Sequence, residues 1–121
     1  MNAKQFLQWG GAVLVLVGIL GYFGVIGPTA EQSLFGEFWW FDNTENAAHA
    51  VLGVVAILAA FFLGAQYHKP LVMLVGVVAL FFAVWSGLIS TTFSTANLEK
   101  VSDTFLHLVV GAWALWAAMR S

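Results

Sequence analysis

The sequence predicts an all-α protein, an integral membrane four-helix bundle built from two parallel two-helix repeats. Three observations carry that expectation. The chain of 121 residues is 61% hydrophobic and only 8% charged, with a mean hydropathy of +0.90, whereas a soluble domain carries roughly 25% charged residues. Small domains bury the smaller share of their surface, so a chain this short has no interior large enough for so much apolar material, and lipid is the natural solvent. Four segments are long and greasy enough for helices of about 20 residues that cross a bilayer. Finally, the second half of the chain repeats features of the first in the same order.

The four expected spans are residues 5–27, 45–67, 70–90 and 102–119. The first has a longer apolar run than the 7–15 residues of a cleaved leader and is expected to be retained. The second opens on "DNTE", with the spacing of a capping box between Asp42 and Glu45. The third is expected to begin at Pro70, because a first helical turn needs no donor from proline. "YHKP" between the second and third leaves room only for a tight antiparallel turn, in which His68 is expected to be solvated. Ser102 is the expected cap of the fourth, with Asp103 behind it at the positive end of the helix dipole.

Charge divides the two ends. With four spans, Lys4, Lys69 and Arg120 share one end with no acid, while Glu31, Glu37, Asp42, Glu45, Glu99 and Asp103 share the other with one base, Lys100. The positive-inside rule then places both termini in the cytoplasm of a cell whose inner membrane holds the chain. "FWWF", Phe38 to Phe41, suits an aromatic belt at the opposite interface. Phe61–Phe62 and Phe81–Phe82 read as lipid-facing bulk.

The repeat is visible when His49 is laid over His107. Glu45 then falls on Asp103, Gly53 on Gly111, and Leu16-Val17-Gly18 on Leu74-Val75-Gly76. A unit of two spans re-enters the membrane in its original direction, so the copies are related by an axis along the membrane normal. Both acid–histidine pairs must then lie at one depth. If the second and fourth spans meet at that axis the imidazoles face each other; if the first and third fill it, they do not.

Residues four apart share a helix face. Glu45, Asn46, His49, Asp103 and His107 are therefore the candidate polar or ligand-binding cluster, since ionisable groups in spans are costly and face the bundle interior. Gly53, Gly111, Gly18 and Gly76 are the candidate sites of close helix packing. The reading favoured by the residues is structural: acids at helix starts, histidines joining helices, and no cofactor. Three others stay open. Two imidazoles and two carboxylates suit a metal ion. Two histidines beside glycines suit a haem or chlorin. A carboxylate near a histidine suits proton handling. The absence of cysteine excludes disulfides, thiolate metal sites and thiol nucleophiles. No basic arm points to nucleic acid, and no catalytic motif is present, so no catalytic residue is assigned. The expected partners are the lipid bilayer and other membrane subunits or a second copy.

At these residues the chain resembles a bacterial four-span family catalogued as domain of unknown function 4383. The matches are "LFGEF" (Leu34 to Phe38), Asn46–His49–Gly53, and Asp103–Leu106–His107–Gly111. Thr104 stands where the family often has a second asparagine. The resemblance implies a four-span fold and a membrane address, and carries no established activity. A small structural or accessory membrane subunit is the function expected, with a cofactor- or ligand-binding membrane protein as the alternative and a transporter or channel as the least favoured reading.

Overall fold

The computed structural model describes residues 1–121. Four α-helices dominate: α1 (Ala3–Tyr22), α2 (Asn43–Phe62), α3 (Ala65–Val84) and α4 (Ser102–Met119). A single 3-10 turn, Gly36–Phe38, lies between α1 and α2, and a two-stranded ribbon, β1 (Thr92–Phe93) and β2 (Ala96–Asn97), precedes α4. Three helices are long and apolar enough to cross a membrane: Ala3–Tyr22, Asn43–Phe62 and Ala65–Ile89, the last being α3 with its π-helical extension.

Helix ends follow local chemistry, and several differ from the expected bounds. Asn2 and Gln5 form a reciprocal capping box that starts α1 before residue 5. That helix stops at Tyr22 because Gly24 adopts φ +84, a left-handed conformation that glycine enters without steric cost. Asp42 and Glu45 form the capping box expected at α2. The helix ends at Phe62, where Leu63 and Gly64 are extended and turn the chain into α3 within two residues. α3 therefore begins at Ala65, and Pro70 sits inside it rather than in its first turn, at the expense of one ladder hydrogen bond. The solvated role expected for His68 is likewise corrected. Its ring is buried, and its Nε2 meets the Ala59 carbonyl at 3.0 Å, tying α3 back to α2. Ser102 does not cap α4: the cap position is Val101, without a side-chain bond, and the Ser102 hydroxyl donates to Phe38 O at 2.7 Å.

α1 packs along α2, and α3 along α4; the two hairpins meet mainly through α1, which touches both α3 and α4. Small residues set both hairpin contacts. A Cβ on Gly53 would lie 2.6 Å from Gly11 O, and one on Gly18 would lie 2.8 Å from Asn46 O. At such sites backbones touch directly. In the second hairpin, Gly76 faces Leu115 and Ala114, and Gly111 faces Leu80. Gly18 and Gly76, equivalent in the sequence repeat, thus meet non-equivalent partners. The repeat does not extend to a common packing register.

The apolar core sits at the end that holds both termini. Ala3, Phe6, Leu7, Ala59, Ala60, Val72, Ala114, Ala117 and Ala118 form it, with Phe6 and Trp113 edge to face at 4.6 Å. Six alanines in this cluster let four helices approach closely where they converge. Outside it, large apolar side chains are exposed along every helix, among them Leu16, Val51, Val77 and Leu108. Exposed apolar surface on this scale marks contact with lipid or partners.

Candidate functional site: a carboxyl cluster joining the two hairpins

The polar groups gather at the end opposite the core, where α2 and α4 begin. Asp42 is placed by its capping role, with Oδ1 accepting from Glu45 N at 2.9 Å. Its other oxygen accepts from Asn97 N at 2.7 Å, which crosses to the ribbon of the second hairpin. Glu45 Oε1 returns to Asp42 N at 3.3 Å. Glu99 Oε1 accepts from Trp40 N at 3.2 Å, crossing the other way. Asp103, 1% exposed, turns its Oδ2 back to Glu99 N at 2.7 Å. Thr44 and Thr95 hydroxyls meet at 3.0 Å. With Ser102 to Phe38 O, four side-chain bonds span the gap between the hairpins.

The electrostatics are unusual. Four carboxyl groups converge, and Lys100, the nearest base along the chain, is exposed and bonds to none of them. Like charges this close cannot all ionise cheaply. The Glu99 carboxyl is pushed up to about 9 by burial first, then by the hydrogen bond and charge of Asp103, then by Glu45, while the Trp40 N–H pulls the other way. At neutral pH Glu99 is therefore protonated. Its buried Oε2 makes no hydrogen bond, and the nearby Asp103 carboxyl adds to the cost of ionising it.

The acid–histidine faces do not form acid–histidine bonds. His107 Nδ1 meets the backbone carbonyl of Asp103 at 2.7 Å, not its carboxylate. His49 Nδ1 is buried with no partner. Each imidazole packs on a phenyl ring, His49 on Phe41 at 5.0 Å and His107 on Phe82 at 5.7 Å. Phe41 is thereby buried rather than part of an exposed belt, and Phe82 covers a histidine rather than lipid alone. Glu45 and His49 remain within electrostatic range of Asp103, and His49 of His107. Asn46, 4% exposed, donates Nδ2 to Phe41 O at 3.4 Å, while its Oδ1 lies against Gly21 without a partner. Gly21 is required there, since a Cβ would overlap the amide.

Two members escaped sequence reasoning. Asp42 was legible only as a cap, and Glu99 only as a loop charge. A signal for Glu99 exists: it stands four residues before Asp103 in "LEKVSD". No group of three or more His, Asp or Glu side chains is arranged to hold a metal ion. A groove of about 300 Å³ at this end, lined by Phe35, Phe38, Trp39, Val101, Phe105 and Leu106 with Ser102, includes none of the five candidate residues.

No protein-family model matches the chain, and no curated protein or solved structure matches it.

Proposed function

We propose that the chain is a four-span integral membrane protein acting as a non-enzymatic accessory subunit, with the carboxyl cluster as the clasp that joins its hairpins. One observation carries the structural role of the cluster. Five of its eight carboxyl oxygens accept from the backbone N–H groups of Trp40, Asp42, Glu45, Asn97 and Glu99. Groups engaged in this way satisfy the backbone of the loops that must sit at a membrane surface. The side chains of His49 and His107 pack on phenyl rings, which supports the same reading over a haem or chlorin held between them.

The fourth span is supported by α3. That helix is long and apolar enough to cross, and α4 lies antiparallel along it, from Thr104 beside Gly87 to Leu115 beside Gly76. A helix so placed occupies the same slab of bilayer, and the polar residues of its first turn, Ser102 and Asp103, are buried. An even number of spans puts the basic end, with both termini, in the cytoplasm by the positive-inside rule. The resemblance to the four-span family of unknown function agrees with this arrangement.

The accessory role is tested by photo-crosslinking in native membrane from the exposed faces of α1 and α3, at Leu16 and Val77. Specific adducts with another subunit or a second copy are expected. A lone monomer in both crosslinked membrane and purified form defeats the proposal.

A further inference from the structure

The basic end contains a polar cleft of about 550 Å³ between the helix termini, within the 300–1,000 Å³ typical of ligand sites. Lys4, Arg120, His68 and Asn2 line it, together with Phe61 and Leu63 on its rim. No acidic side chain lines it, because all six acids belong to 31–45 and 99–103. Lys4 and Arg120 are exposed, and the Arg120 guanidinium lies 4.9 Å over the Trp116 ring, with no carboxylate partner. The start of α3 opens into the same space. Gly64 gives it no side-chain cap, and Ala65 lines the cleft, so its free N–H groups present positive potential. His68 is 6% exposed; its Nε2 is committed to Ala59 O and its Nδ1 has no partner in the chain. Phe61 and Leu63 are 63% and 44% exposed.

We propose that this cleft binds the phosphate headgroup of an anionic membrane phospholipid, with Lys4 and Arg120 as its charge partners and Phe61 and Leu63 beside the acyl chains. The inference rests on the reading that the helices cross a membrane. Two cations and an uncapped helix start form a site for a phosphate diester, which arginine engages through paired N–H donors. The apolar rim favours a lipid over a free anion, because a soluble phosphate gains nothing from Phe61 and Leu63. Basic pockets between helices at the cytoplasmic face are suited to such headgroups.

The test uses the full chain purified in neutral detergent, with bound lipid counted by native mass spectrometry during titration with phosphatidylglycerol, phosphatidylcholine or inorganic phosphate. Phosphatidylglycerol is expected to bind at least about tenfold tighter than phosphatidylcholine. Lys4→Gln and Arg120→Gln should each weaken it about fivefold, and the double variant about thirtyfold. Both side chains are exposed, so the variants keep the fold, which circular dichroism verifies. Lys100→Gln, at the other end, should bind as the parent does. Unchanged binding by the double variant, or equal binding of phosphatidylcholine, overturns the site. Full displacement by inorganic phosphate at equal concentration overturns the lipid as its ligand. If lipid binding fails while the chain resists alkaline carbonate extraction from membranes, only the headgroup site is lost. Release into carbonate removes the membrane reading and the lipid site together.

Discussion

The two ends of the bundle solve opposite problems. At the acidic end, buried carboxyl groups are abundant and the one cation, Lys100, bonds to none of them, so they are satisfied by backbone N–H groups and Glu99 is held protonated. At the basic end the core is made of alanines and a few large side chains, and the cations lie outside it without acidic partners. Stability at the acidic end is thus polar, internal and dependent on protonation. Stability at the basic end is apolar, and its cations have no acidic side-chain partner. Buried polar groups that satisfy each other act as structure, and exposed like charges that do not are available for recognition.

The largest way to break this contrast is to part the helices between the two ends. Gly53→Leu places a side chain where Gly11 O and Val15 already stand within 2.8 Å. It should cost about 3 kcal/mol or more, seen as loss of the monodisperse peak in detergent gel filtration.

Next comes the acidic end itself. Asp103→Ala leaves the Glu99 N–H unpaired in a buried site and should cost about 1–3 kcal/mol, measured by thermal unfolding. Asp103→Asn, which keeps an acceptor, should cost less. If Asp103→Ala left the melting temperature unchanged, the Asp103–Glu99 contact would not stabilise the acidic end.

A pH series sharpens the comparison further. The folded Glu99 carboxyl titrates at about 9, against 4.5 for an ordinary one. A raised folded value means that the folded state binds the proton more tightly. Its stabilising contribution is complete below 4.5 and is lost as pH rises from there through about 9. Melting temperature should therefore fall across that window, and Glu99→Gln should flatten the slope while Lys4→Gln does not. A parent profile that rises with pH would reverse the sign and exclude the neutral Glu99. The smallest effect expected is Thr44→Val, which removes one exposed hydroxyl contact with Thr95 and should change stability by about 0.5 kcal/mol or less.

Hydropathy and helix punctuation made the helices legible. The bounds of the last helix, 102–119, agree with α4, and the Asp42–Glu45 box was readable from spacing alone. Where the reading slipped, the cause was a local conformation or a distant partner. Gly24 ended α1 early through its φ, and the two-residue turn at Leu63–Gly64 drew α3 back beyond Pro70. The acid–histidine spacing pointed to the end where α2 and α4 begin. It could not show that Asp103 would turn to Glu99 N, or that His49 would lie under Phe41. Those choices depend on loops whose positions periodicity does not encode. The sequence repeat likewise aligned Gly18 with Gly76, while the partners across each hairpin depend on unlike connections, a long loop in one and a π turn with a ribbon in the other.

The short elbow at Leu63–Gly64 has a mechanical consequence. Hairpins joined by two residues, with His68 pinned to Ala59 beside them, pivot about that point and nowhere else. The bonds of Trp40, Thr44, Asp42 and Ser102 to the opposite hairpin then act as a latch at the far end of a lever. Any force that pries the halves apart is resisted first by those few bonds, and the proton on Glu99 sets how firmly the latch is shut.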